Sequence, residues 1–311
     1  MGRDCSSPEA QTGGARGVFG GGYSPGAYRS TIDYINISTT GNATSFGSLS
    51  AVRYVPGACS DRTRGLFAGG ESPGAFNSTI YYIAISSTGN SESFGSLSGV
   101  RGYPAAASSS TRGLFAGGVN PATVNTIEYV TIQSTGNAQD FGDLVQIRNR
   151  SYSAASPTRG VFAGGFTPTS SATGNAIDFV TFSTLGNAAD FGDLSQARGS
   201  SFGSASNATR ALFAGGYINP ASLQNTIDYI TTATLGNTQD FGDLSVVAYY
   251  GTATSSSTRG VFALGLTTPL NTYINTIEYV TIMSVGNSVD FGDLSVNRVG
   301  TGACSNAHGG L

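Results

Sequence analysis

The chain has 311 residues, 15 Arg with no Lys, 18 acidic side chains and a formal net charge of −3, with charged residues at only 11%. Neither the total nor any stretch is basic enough for a nucleic-acid footprint, and no run approaches the eighteen or so apolar residues of a membrane-crossing helix. Gly at 45 and the absence of Trp point to a turn-rich β protein, and the single histidine, His308, leaves no internal member for a His base, a His metal cluster or a Ser-His-Asp triad.

Residues 1–15 carry no apolar signal-peptide core. From Arg16 onward one phrase returns six times: RGVFGGG at 16–22, RGLFAGG at 64–70 and 112–118, RGVFAGG at 159–165, RALFAGG at 210–216 and RGVFALG at 259–265. Its arginines, Arg16, Arg64, Arg112, Arg159, Arg210 and Arg259, stand 48, 48, 47, 51 and 49 residues apart. A second phrase, written STGNAQDFGDL at 134–144, keeps step through Phe46, Phe94, Phe141, Phe191, Phe241 and Phe291. A period of this length means one supersecondary unit copied in an array.

The third copy shows the unit. Small residues at 101–110 give a first strand, 112–118 a second stopped by its glycine pair, 125–132 a third, and 140–144 a short fourth after a Gly-Asn turn. No segment has a helical period. The expectation is an all-β, six-bladed β-propeller of four-stranded antiparallel blades, one domain over residues 1–311 with repeats beginning near 16, 64, 112, 159, 210 and 259. RVGTGACSNAHGGL (298–311) aligns with RYVPGACSDRTRGL (53–66), so residues 299–305 are expected to complete the first blade and close the ring. The alternative puts residues 1–8 there and lends the C-terminal strand to another molecule.

The order of arginine, small-residue strand, aromatic strand ending in Gly-Gly, variable loop, NTIDY, turn and aromatic resembles the kelch repeat of kelch and galactose-oxidase-type propellers over residues 16–304. Leu264-Gly265 in place of the doublet, Ala248 in place of an arginine and Phe in place of the usual Trp depart from that pattern. The copper chemistry of galactose oxidase is not implied, since histidine ligands are missing. The wording NTIDY and GNAxDFGDL is also similar to repeat proteins encoded by phages of aquatic bacteria, which implies a virion or tail component.

Eleven arginines and 13 acids fall at repeat positions. The DFGD pairs, among them Asp140 and Asp143, and Asp190 and Asp193, have the residue types of hydrolase or Ca²⁺ sites. Their recurrence with the scaffold favours structural ion pairs instead, with Arg112 and Arg159 as partners. Residues 16–110 carry six Arg against four acids and residues 112–298 eight against twelve, an asymmetry able to orient contact between subunits. The loops between second and third strands each keep one proline and place Tyr23, Tyr28, Phe76, Phe166, Tyr217 and Tyr273 on one face, either open for sugar or protein recognition or folded over the blade ends. A Cys5–Cys304 disulfide would staple the closure; the alternative is thiols packed as small apolar groups. His308, three residues from the end, is expected in solvent.

The expected function is non-enzymatic, with no cofactor or metal: a structural propeller, extracellular or on a virion, that self-associates into a homo-oligomer or fibre. The alternative is an adhesin that binds a host glycan or protein through the loop face. Nucleic acid and membrane are not expected partners.

Overall fold

A computed structural model describes residues 15–167, 173–199, 203–218, 222–268 and 272–311, and among them there is no helix. Six four-stranded antiparallel sheets form the blades of a β-propeller. In the first blade Gly302–Ser305 holds the inner position and pairs with Arg16–Gly20, which pairs with Thr31–Asn36 and that with Thr44–Ser48. The inner place is thus filled by the C-terminal strand, not by residues 1–8. The third blade shows the same order within one copy: Ala105–Ser108, Arg112–Ala116, Thr126–Thr131 and Gln139–Asp143. Inner strands are made mostly of Ala, Ser, Gly and Thr, with Cys59, Cys304 and Tyr152 as the exceptions, because six of them converge on the axis and touch their neighbours there.

Both repeated phrases prove to be joints between blades. The arginine of the first lies over an aromatic ring of its own third strand and donates Nη1 to a carbonyl of the next blade: Arg112 sits 5.0 Å from the Tyr129 ring and bonds Phe182 O at 2.5 Å, and Arg159 lies 4.6 Å from Phe179 and bonds Thr232 O at 2.9 Å. Arg259 closes the circle on Ile37 O. The phenylalanine three residues on is fully buried, as Phe115 is among Leu66, Ile80 and Phe94 of the preceding blade.

The second phrase clips each outer strand to the next blade's hairpin turn. Gly186 N donates to Phe141 O at 2.8 Å, Ala188 N to Asp143 O at 2.7 Å, and Asp143 N to Asn187 Oδ1 at 3.0 Å. The same three bonds recur at every junction, ending with Gly41, Ala43 and Asn42 on the sixth blade. The glycine of DFG is required by this contact: Gly142 has φ +145°, and a Cβ there would lie 2.4 Å from Gly186 O.

The expected ion pairs are corrected by this arrangement. Arg112 and Arg159 are committed to carbonyls and rings, and neither makes an ion pair with Asp140, Asp143, Asp190 or Asp193, whose strand lies at the outer edge of the blade. The four ion pairs among the described residues use the other repeated arginine, four to six residues ahead of the inner strand: Arg101–Glu128 at 2.8 Å, Arg148–Asp178, Arg198–Asp228 at 2.9 Å and Arg298–Asp33 at 3.0 Å, every side chain at most 3% exposed. These arginines also donate to the carbonyls beside them, Arg298 to Gly21 O and Thr31 O. Burial lowers the Arg298 pKa, and Asp33 acts in the opposite direction.

Two blades break the pair in complementary ways. In the second, Tyr81 replaces the acid, and buried Arg53 bonds Thr79 Oγ1 and Tyr81 Oη instead. In the sixth, Ala248 replaces the arginine, and Glu278 accepts from Ser245 and Ser288 hydroxyls. Leu264, at the first glycine of the doublet, is 1% exposed and joins Ala248 in one apolar cluster. In other blades that first glycine takes the arginine's hydrogen bond, as Gly117, Gly164 and Gly21 do. The sixth blade thus packs an alanine and a leucine where other blades carry an arginine and a glycine.

Candidate functional site at the mouth of the central channel

Ahead of the inner strand, two residues after the position of the second repeated arginine, five described copies turn through a left-handed residue: Val55 at φ 48°, Tyr103 at 55°, Arg150 at 53°, Tyr250 at 54° and Gly300 at 61°. A β-branched or long side chain in this conformation is strained. Hydrogen bonds between adjacent blades hold it, from Val55 N to Gly300 O at 2.7 Å, Gly300 N to Tyr250 O at 2.8 Å and Arg150 N to Tyr103 O at 3.3 Å.

These turns aim side chains over the axis. The Arg150 guanidinium lies 4.2 Å from the Tyr103 ring centre, 5.4 Å from Tyr250 and 5.8 Å from Phe166. Tyr54, one position earlier in its own turn, reaches across to Tyr250 at 6.0 Å and Tyr103 at 6.3 Å. It can do so because the first blade carries glycine: a Cβ on Gly300 would come within 2.3 Å of the Tyr54 ring.

All six loop aromatics expected from sequence join this cluster as half-buried rings. Tyr23 packs edge-on against Tyr28 at 5.2 Å and Tyr54 at 6.1 Å, with Tyr273 beside it at 6.4 Å. Phe76 meets Tyr103 at 5.5 Å, and on the far side Phe166 stacks on Tyr217 at 6.2 Å, continuing through Tyr249 to Tyr250. Glu71 is the acid of this face, accepting from the hydroxyls of Tyr28, at 2.6 Å, and Tyr103. Burial and the Glu71 hydrogen bond push the Tyr103 hydroxyl up to about 12; burial pushes Tyr54 well above the usual phenol range.

Sequence reasoning missed Tyr54, Tyr103, Arg150, Tyr249, Tyr250 and Glu71. The signal was present in residues that break the repeat directly after the second arginine, where neighbouring copies carry Gly, Val or Asn. Of the loop prolines, Pro25, Pro73 and Pro121 are exposed turn residues, while Pro168, Pro220 and Pro269 lie outside the described residues.

Below the mouth the inner strands enclose about 120 Å³, lined by Ala, Gly, Pro, Ser and Thr. Serine hydroxyls bond around its lower end, Ser108 to Ser60 O, Ser60 to Ser305 O, Ser305 to Ser255 O and Ser255 to Ser206 O. His308 is not in free solvent as expected: the chain after Ser305 folds back across this end, so that Nε2 lies 2.8 Å from Ser60 O and Nδ1 accepts from Gly310 N. Burial lowers its pKa. Cys304 and Cys59 are buried thiols, Cys304 pushed up to about 12 by burial. The Cys5–Cys304 pairing falls on Cys5, outside the described residues.

Among the described residues no group of three or more His, Cys, Asp or Glu side chains could hold a metal ion. What the mouth offers is ring faces, tyrosine hydroxyls, one guanidinium and one carboxylate, the equipment for binding a polar ligand with flat apolar surfaces. The fold and site together define a β-propeller whose channel opens through an aromatic cluster. The chain matches no protein-family model, and no curated protein is significantly similar to it.

Proposed function

We propose that the protein is a non-enzymatic, kelch-like propeller, extracellular or carried on a virion, that acts as an adhesin by binding a glycan at this mouth. The observation that carries the reading is the convergence of side chains outside the repeat, Tyr54, Tyr103, Arg150 and Tyr250, on one strained, preorganised surface. Residues needed for the scaffold recur in register, whereas these do not, and backbone strain gathered at one place supports a role in recognition. Pyranose rings present flat C–H faces and a rim of hydroxyls, which ring faces and tyrosine hydroxyls accommodate.

The test is retention of the full-length protein on an array of immobilised glycans, repeated with Tyr54→Ala and Tyr250→Ala. Binding by the parent and its loss in both variants at unchanged fold is the expected result. Absence of any retained glycan would refute the reading.

Assembly into a homo-oligomer or fibre is a second reading with its own support. Leu185, Leu235 and Val285 are 57, 59 and 60% exposed at the hairpin turns of blades four to six, on the face opposite the mouth, where the first three blades carry Thr40, Thr88 and Thr135. Strand exchange through residues 302–305 is not its route, because that strand is paired in its own ring.

A further inference from the structure

Arg150 is the one arginine at the left-handed turns of the mouth among the described residues. At the equivalent turn the other described copies carry Val55, Tyr103, Tyr250 and Gly300. Its guanidinium is bounded by three rings within 6 Å and bonds the Tyr103 hydroxyl, and its buried Nε has no partner, as is also true of Arg53, Arg101, Arg148, Arg198 and Arg298. No ion pair reaches it among the described residues. The acid of this face, Glu71, is already engaged by Tyr28 and Tyr103.

The arginines that recur with the repeat are each discharged by a carboxylate, a carbonyl or both, as Arg101, Arg112, Arg159 and Arg259 are. A guanidinium held over rings in a strained backbone, with donor capacity left over, is instead placed for an external acceptor. We infer that Arg150 receives the carboxylate of an acidic sugar, of uronate or sialate type, while the sugar ring rests on Tyr54 and Tyr250; this rests on the glycan-binding reading above. The planar fork matches a carboxylate's two oxygens. A phosphate or a dense polyanion is a poorer match, since the mouth supplies a single guanidinium, Glu71 stands beside it, and the chain is net negative at −3.

The experiment uses an array of uronate- and sialate-bearing oligosaccharides beside their carboxyl-reduced and sulfated counterparts, probed with parent, Arg150→Met and Arg150→Lys. The expected result is retention of the carboxylated members, weakened by about 10- to 100-fold in Arg150→Met, as for loss of a charge-assisted hydrogen bond, and less in Arg150→Lys. Thermal unfolding within a degree or two of the parent establishes that each variant is folded. Equal retention of carboxyl-reduced glycans, with no effect of Arg150→Met, overturns the inference and leaves the aromatic mouth as a neutral-sugar site. Preference for sulfated members overturns it as well. If nothing is retained, the glycan reading itself falls, and this inference with it.

Discussion

Installing an arginine at position 248 tests whether Leu264 stands in for the guanidinium absent from the sixth blade. Ala248 is fully buried and Leu264 is 1% exposed. Ala248→Arg alone forces a long charged side chain into filled space, and overpacking of this kind costs about 1–3 kcal/mol before the charge is considered. Leu264→Gly alone empties a leucine-sized site in the core, a loss of about 3–5 kcal/mol. In the double variant the guanidinium gains the room it has in other blades, a backbone carbonyl at position 264 corresponding to those of Gly117 and Gly164, and Glu278 in the place of Asp178 or Asp228. The double variant is therefore expected within about 1–2 kcal/mol of the parent, a coupling of at least about 2 kcal/mol, well beyond the few tenths seen between independent sites. With about 2.1 cal/mol/K per residue over 311 residues, the unfolding entropy is about 0.65 kcal/mol/K, so a loss of about 4 kcal/mol lowers Tm by about 6 °C. Scanning calorimetry of the four proteins gives the cycle directly. Additive single effects, or a double variant less stable than Leu264→Gly, would refute the exchange.

Arg198→Met removes the buried donor to Asp228 and to the Thr226 and Phe213 carbonyls, leaving Asp228 only the Ser195 amide and hydroxyl, and is expected to cost about 3–5 kcal/mol in urea unfolding, part of it recovered by adding Asp228→Asn. Gly142→Ala brings a Cβ to 2.4 Å from Gly186 O and should break the clip between blades three and four, exposing the Gly186 and Ala188 amides to hydrogen exchange; Gly186→Ala, with nothing within 4 Å, should cost only its own backbone strain. Burial pushes Tyr103 and Tyr152 up to about 12, so the folded state holds these protons more tightly than the unfolded chain. Stability is then complete below about pH 10 and lost as pH rises towards 12; a flat unfolding midpoint across that window would contradict it. Removal of residues 306–311 strips the bonds of His308 to Ser60 and Gly310, and nuclear magnetic resonance should show the Ser60 and Ser108 amides shift while those around Tyr54 stay.

The fold was legible because its joints are written in the repeat. RGLFAGG requires an arginine to bridge blades, a small residue against the preceding blade and a phenylalanine in the core, and DFG with GN requires two backbones in contact, so none of these positions could drift without opening the ring. The ion pairs were half legible: acids and arginines recur in register, but only burial distinguishes Arg101, 2% exposed, from half-buried Arg112, and periodicity gives both the same weight. Asp140 and Asp143 looked like partners because they recur in register with the arginines, whereas antiparallel pairing sets them on the outer strand. His308 was misplaced for a related reason, since position near a terminus says nothing of whether the backbone folds over the channel.

The mouth was the least legible part, and for a physical cause. A propeller's axis brings together residues about 50 positions apart, so Tyr54, Tyr103, Arg150 and Tyr250 never appear as a motif in the chain. What they share is one register position, and there the copies disagree. Where the scaffold sets the residue, six copies agree; where it does not, side chains are free to answer to something outside the molecule. Disagreement alone is also what neutral drift produces, and exposed loops show it without consequence. At this turn, however, the substituted residues are held at positive φ, a conformation in which glycine would be the unstrained choice, and only the first described blade uses it. Drift towards stability would have favoured Gly at Val55, Tyr103, Arg150 and Tyr250 as at Gly300. That large side chains stand there instead, in contact with one another over the channel, is accounted for by the binding proposed above and not by the needs of the ring.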